Sequence, residues 1–138
     1  MNIDIGRLKN NLERIGNIGK CETGGISRLA FSSEYYEAAS ELKDLFEHNG
    51  LKVKVDSIGN LIGFREGKEE NPSIMIGSHL DTVKNGGLFD GALGVFSALE
   101  CIATLNDNNT ITNHPIEIVA FNAEEGSEMG GTFGSRVL

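Results

Sequence analysis

Two apolar runs, Ile74-Met75-Ile76-Gly77 and Ile116-Glu117-Ile118-Val119-Ala120-Phe121, restrict the fold more than any other feature of the chain. Each has the length and apolar content of a strand covered on both faces. Between them, residues 91–105 place Ala92, Val95, Phe96, Leu99 and Ile102 on one helical face, with Cys101 expected near it as a small core residue. Asn106 to Asn113 reads as a polar turn into the second run.

The N-terminal half supplies partners for that unit. Ile5, Leu8, Leu12 and Ile15 recur at helical spacing, with Gly16 or Gly19 as the stop. Residues 19–28 hold three glycines and read as a loop. A second helix is expected from a cap at Ser32 or Ser33 to about Asn49, with Tyr35, Ala38, Leu42, Leu45 and Phe46 inward and Gly50 ending it. Alternation of Leu51, Val53 and Val55 with Lys52, Lys54 and Asp56 predicts a strand solvated on one side, and Asn60 to Arg65 its hairpin partner. The order helix, helix, hairpin, strand, helix, strand gives an α/β fold with a mixed sheet flanked by helices.

The chain has 138 residues, enough for one domain with its own core. Its net charge of -8 provides no basic stripe to neutralise phosphates, which argues against nucleic acid or an anionic membrane as partner. Cys21 and Cys101 are isolated, as suits a reducing compartment, and no apolar stretch approaches a membrane span; a cytoplasmic protein is expected. No phosphate-binding glycine loop and no G-x-S-x-G elbow occurs.

Chemistry concentrates beyond the two apolar runs, where α/β sheets gather their ligands. His79 and Asp81 follow the first, Glu124 and Glu125 follow the second, and Asp90 lies in a glycine-flanked turn between them. His79 and Asp81 share one side of an extended segment, so one could bind a metal while the other accepts the hydrogen bond that fixes the ring. Asp90 could bridge two cations or, on local grounds, cap the following helix. Of the adjacent Glu124 and Glu125, one could bind metal while the other accepts a proton, or both could form a solvated acidic patch. Imidazole and carboxylate donors suit zinc, manganese or cobalt. His48, in the last turn of a helix, and His114, before Pro115, read as structural and surface residues, and Met129 as packing.

Three segments carry a resemblance: Gly77-Ser78-His79-Leu80-Asp81-Thr82-Val83, Gly86-Gly87-Leu88-Phe89-Asp90-Gly91-Ala92-Leu93-Gly94-Val95 and Ala123-Glu124-Glu125-Gly126-Ser127, with Gly134-Ser135-Arg136 after them. Together they resemble the dinuclear metallohydrolases related to aminoacylases and metal-dependent dipeptidases, and within them the N-carbamoyl-L-amino-acid hydrolase and allantoate amidohydrolase subgroup. The resemblance implies the N-terminal part of a zinc-dependent exopeptidase-like catalytic domain. It implies that His79 binds one metal, Asp90 bridges two and Glu125 binds the second. Asp81, orienting His79, and Glu124, the general base, are the implied catalytic residues. Two divalent ions (Zn, Mn or Co) are the implied cofactors, and a ureide or N-carbamoyl amino acid the implied substrate; no substrate-binding residue is assigned. The peptide bond between Asp90 and Gly91 is expected to be cis. The family's inserted dimerisation lid and its C-terminal catalytic segment, with one further histidine for each metal, are absent from residues 1–138, so these residues are expected to be an inactive fragment of the enzyme; the family's lid implies a homodimer for the full-length protein. After the paired glutamates the family commonly has Arg and an aromatic residue, where this chain has Glu128 and Met129. The alternatives are a dipeptidase or aminoacylase of the same family, and a catalytically silent chain that associates through apolar surface.

Overall fold

A computed structural model describes residues 1–126 and 130–138. Ser127, Glu128 and Met129, read from the sequence as motif, departure and packing, lie outside the described residues.

The elements run α1 (Ile5–Gly16), α2 (Ser33–His48), β1 (Lys52–Val55), β2 (Leu61–Arg65), β3 (Ile74–His79), α3 (Ala92–Asp107), β4 (Ile116–Phe121) and a single turn, α4 (Phe133–Arg136). Local chemistry sets the helix starts. The Asp4 carboxylate accepts the Arg7 N–H at the head of α1, and the Ser32 hydroxyl accepts the Tyr35 N–H at the head of α2. The strands form one mixed sheet in the order β1-β2-β4-β3, antiparallel except for the parallel pair β3 and β4.

Side-chain alternation on β4 turns Ile116, Ile118 and Ala120 into a core shared with Leu12 and Ile15 of α1, Tyr35, Leu42 and Phe46 of α2, and Val95, Phe96, Leu99 and Ile102 of α3. A half-buried ion pair fastens α1 to α3. The Arg7 guanidinium donates to both oxygens of Glu100, at 2.7 and 2.8 Å, and Asp4 N–H and Thr104 Oγ1 bond the same carboxylate. These bonds, the Arg7 one first, hold the Glu100 carboxyl below the usual range.

Three expectations are corrected. β3 is not buried on both faces: among the described residues it is an edge strand, and Ile74, Met75 and Ile76 are 53%, 48% and 40% exposed. Cys101 is exposed, since it lies about 200° around the helix from Leu99 and so opposite the core face. Ile5 keeps its helical register but is exposed; the first turn of α1 overhangs the core and, with Leu8, Leu12, Leu88 and Phe89, lines an apolar groove.

Candidate active site

The site forms where parallel β3 and β4 end side by side, His79 being paired with Phe121. After β3 the chain continues through Leu80, Asp81 and Thr82, all buried; after β4 it continues through buried Asn122 and Ala123 into the paired glutamates. Parallel pairing makes both exits open on the same rim, which is why residues more than forty positions apart meet there.

His79 is buried and its ring is fixed from below. Its Nδ1 lies 2.9 Å from the backbone carbonyl of Asp81. A carbonyl only accepts, so Nδ1 carries a proton, and Nε2 is the ring nitrogen left to offer a lone pair to a metal. That lone pair faces two carboxylates, with Asp90 Oδ1 at 3.6 Å and Glu124 Oε2 at 3.7 Å. Both are too long for hydrogen bonds and slightly wider than the separation of about 3.3 Å between donors around one tetrahedral ion with bonds of about 2.0–2.1 Å. Donor atoms of His79, Glu124 and Glu125 all lie within 4.8 Å of one another. An imidazole and carboxylates gathered in this way form a group that could hold a divalent cation.

Asp81 is completely buried, and its side chain does something the sequence did not signal. Its two carboxylate oxygens accept the backbone N–H groups of Glu124 (3.2 Å) and Glu125 (3.0 Å), while Oδ1 stays 3.8 Å from His79 Nδ1. Asp81 thus orients the imidazole with its backbone and the acidic pair with its side chain. The acidic turn is further held by the N–H groups of Thr132 and Phe133, which donate to Glu124 and Ala123 carbonyls at 2.6 and 3.0 Å. Ala123 enters it with φ of 55°, a left-handed conformation that an alanine adopts only under such restraint. Burial raises the Glu125 carboxyl above its ordinary value; neighbouring Asp90, Glu124 and Asp81 add to this, and His79 opposes it.

Asp90 does not cap α3. Gly91 holds the cap position without a side-chain hydrogen bond, and the Asp90 side chain is 67% exposed toward the rim. The bond between Asp90 and Gly91 is trans, contrary to expectation; the turn is made instead at Gly91, whose φ is 67°. A β-carbon there would also stand 2.4 Å from the His79 carbonyl oxygen and 2.5 Å from Nδ1, so only glycine lets α3 start against the imidazole.

All five residues expected at the site are therefore together at one rim. The other two histidines are elsewhere: His48 in the last turn of α2, and His114 with Nδ1 2.9 Å from the Pro72 carbonyl oxygen. Sequence reasoning missed Arg28, which is buried beneath Asp81 although it lies in a segment readable only as a loop. A lone cation among Ile26, Leu29 and Ala30 was the available signal.

The mixed sheet, the strand-end rim and its imidazole–carboxylate cluster define an α/β protein with a candidate metal centre of the hydrolase type. The sequence model described as Peptidase family M28 matches residues 60–138, and the chain belongs to that family. Over 132 residues, 94% of this chain and 32% of the relative, it is 46% identical to an N-carbamoyl-L-amino-acid amidohydrolase of Pseudomonas sp. (strain NS671). An N-carbamoyl-L-amino acid amidohydrolase of Geobacillus stearothermophilus is 42% identical over 134 residues, 96% of this chain and 33% of the relative. The crystal structure of a hydantoinase/carbamoylase family amidase from Burkholderia ambifaria superposes with a TM-score of 0.96 at 38% identity, over 98% of this chain and 34% of that one. The chain spans about a third of the length of these relatives. No helix among the described residues is long and apolar enough to cross a membrane.

Proposed function

We propose that residues 1–138 are the N-terminal part of the catalytic domain of a metal-dependent amidohydrolase, which cleaves the carbamoyl C–N bond of an N-carbamoyl-L-amino acid or a related ureide. The observation that carries this reading is the cluster of His79, Asp90, Glu124 and Glu125 at the ends of β3 and β4. The names of the relatives supply the substrate class.

His79 would hold a metal through Nε2, since its Nδ1 proton is committed to the Asp81 carbonyl. Asp90, whose carboxylate stands exposed beside His79 Nε2, and Glu125, of the same donor group as His79, would hold metal with it. A divalent ion such as zinc, manganese or cobalt held by these residues would supply Lewis-acid chemistry, polarising a carbonyl and acidifying water. Glu124, half-exposed and fixed through its backbone, takes the proton of the attacking water and delivers it to the departing nitrogen. Water adds to the carbamoyl carbon, the C–N bonds break, and ammonia, carbon dioxide and the free amino acid result. A dimerising lid and a C-terminal segment carrying further histidines complete the full-length homodimer, and the free Cys21 and Cys101 suit the cytoplasm.

The test is hydrolysis by the complete polypeptide, stripped of metal and reloaded with zinc, manganese or cobalt. Ammonia release from N-carbamoyl amino acids or allantoate, lost on chelation, is the expected result. Cleavage of dipeptides or N-acyl amino acids without ammonia release from any ureide overturns the substrate class in favour of a dipeptidase or aminoacylase. No metal-dependent hydrolysis of either kind overturns the enzyme reading.

A further inference from the structure

Arg28 is 1% exposed and, among the described residues, the one fully buried guanidinium. Burial of a cation costs several kcal/mol unless its surroundings compensate. Here Nε donates to the Leu80 carbonyl (2.8 Å), and Nη1 to the carbonyls of Ile15 (3.1 Å) and Ile18 (3.2 Å) at the end of α1. None of these acceptors is a carboxylate. Burial lowers the guanidinium to about 10, and the field of Asp81 opposes that shift, so the group stays charged at neutral pH.

The side-chain bonds explain why a charge is kept where a leucine would pack, and they complete a hold on Asp81 that the Arg28 backbone begins. The peptide group before Asp81 carries the Leu80 carbonyl, which Arg28 Nε holds. The peptide group after Asp81 carries the Thr82 N–H, which donates to the Arg28 carbonyl at 2.9 Å, and the Thr82 hydroxyl accepts the Arg28 N–H at 2.8 Å. Both peptide planes that determine the φ and ψ of Asp81 are thus tied to one residue. The outward faces of Asp81 do the site's work: its carbonyl faces His79 Nδ1, and its carboxylate accepts Glu124 and Glu125 N–H.

We propose that the Arg28 side chain is a positioning element of the metal centre, holding the peptide before Asp81 while the Arg28 backbone holds the peptide after it, so that His79 and the paired glutamates keep their relative placement. It touches none of the reacting groups and acts through Asp81. The inference rests on the reading of the rim as a metal centre.

The test compares the complete polypeptide with its Arg28→Lys and Arg28→Met variants, and with Arg7→Met as a control that breaks a half-buried ion pair remote from the rim. Two readouts are taken: amide hydrogen exchange of the 116–126 segment in metal-free protein, and cobalt(II) binding followed by its visible spectrum. Arg28→Lys keeps the charge but cannot span three carbonyls. It is expected to speed exchange across Glu124 and Glu125 and to weaken cobalt binding about 10- to 100-fold, the range for residues that orient ligands. Arg7→Met should lower the unfolding temperature while leaving both readouts as in the parent. If Arg28→Met does not fold, Arg28→Lys alone decides. Folded Arg28→Lys with parental exchange and cobalt binding overturns the proposal. A parent that binds no cobalt overturns the metal-centre reading instead, and the metal-free exchange data then still show whether Arg28 places the acidic turn.

Discussion

His79 and Asp81 meet through the backbone: the Asp81 carbonyl lies 2.9 Å from Nδ1, while the nearer carboxylate oxygen stands 3.8 Å away. A carbonyl cannot donate, so the tautomer of His79 survives any change confined to the Asp81 side chain. What such a change does reach is the backbone of the acidic turn.

Asp81→Asn therefore separates two roles that a carboxylate beside a histidine usually combines. Its amide would present N–H to the Glu124 or Glu125 N–H, opposing two donors and losing a charge-assisted bond worth about 1.5–3 kcal/mol. Urea unfolding should show a loss of that size. Metal titration should show the Glu125 site weakened more than the His79 site; equal weakening would mean that the carboxylate steers the imidazole after all.

Glu124 and Glu125 should differ in kind. Glu124→Gln removes a proton acceptor and should lower turnover by about 10²- to 10⁴-fold with metal retained. Glu125→Gln should lose metal, as should His79→Ala at one of the two sites. Elemental analysis beside the rate assay checks this, and loss of metal from Glu124→Gln would make Glu124 a ligand, as its place in the donor cluster also allows.

Gly91→Ala is expected to cost more than an ordinary loop substitution. The new β-carbon meets the His79 ring and carbonyl at about the distance of a covalent angle, and the residue must also hold φ at 67°. Left-handed backbone alone costs an alanine about 1–2 kcal/mol. Thermal unfolding should fall accordingly, and cobalt binding should fall with it because the clash is with the imidazole.

The link between α1 and α3 predicts an acid-sensitive contribution to stability. Arg7 holds the folded Glu100 carboxyl below its ordinary value, so its contribution is complete at neutral pH. It declines as pH falls below the unfolded carboxyl near about 4.3 and is gone below the lowered folded value. Glu100→Gln should flatten the fall in stability across that acid window and reduce neutral stability by about 1.5–3 kcal/mol. Denaturant melts at a series of pH values measure both.

Much of this was legible from side-chain pattern. The stripe in α2 and the alternation of Ile116, Ile118 and Ala120 specify which faces are covered, and they are covered. Histidine and carboxylates at two strand ends met because parallel pairing of β3 and β4 leaves no other outcome. What failed was information that no local pattern holds. Hydropathy of Ile74-Met75-Ile76 is the same at an edge as in mid-sheet, and only the strand order tells them apart. Arg28 stands in a stretch readable only as a loop, and its place was decided by carbonyls from Ile15, Ile18 and Leu80, in two other segments. Asp81 was expected to steer His79 with its carboxylate, and steers it with its carbonyl.

The outermost position of β3 has a consequence for how the rim is enlarged. Its open edge carries unpaired backbone groups beside exposed Ile74, Met75 and Ile76, and the same strand ends in His79. Any strand laid along that edge would sit one strand spacing, about 4.8 Å, from β3 and would bring its own end alongside the imidazole. Covering the apolar edge and adding a wall to the active site would then be one event, with the hydrogen-bond ladder acting as the ruler that fixes where the new side chains arrive.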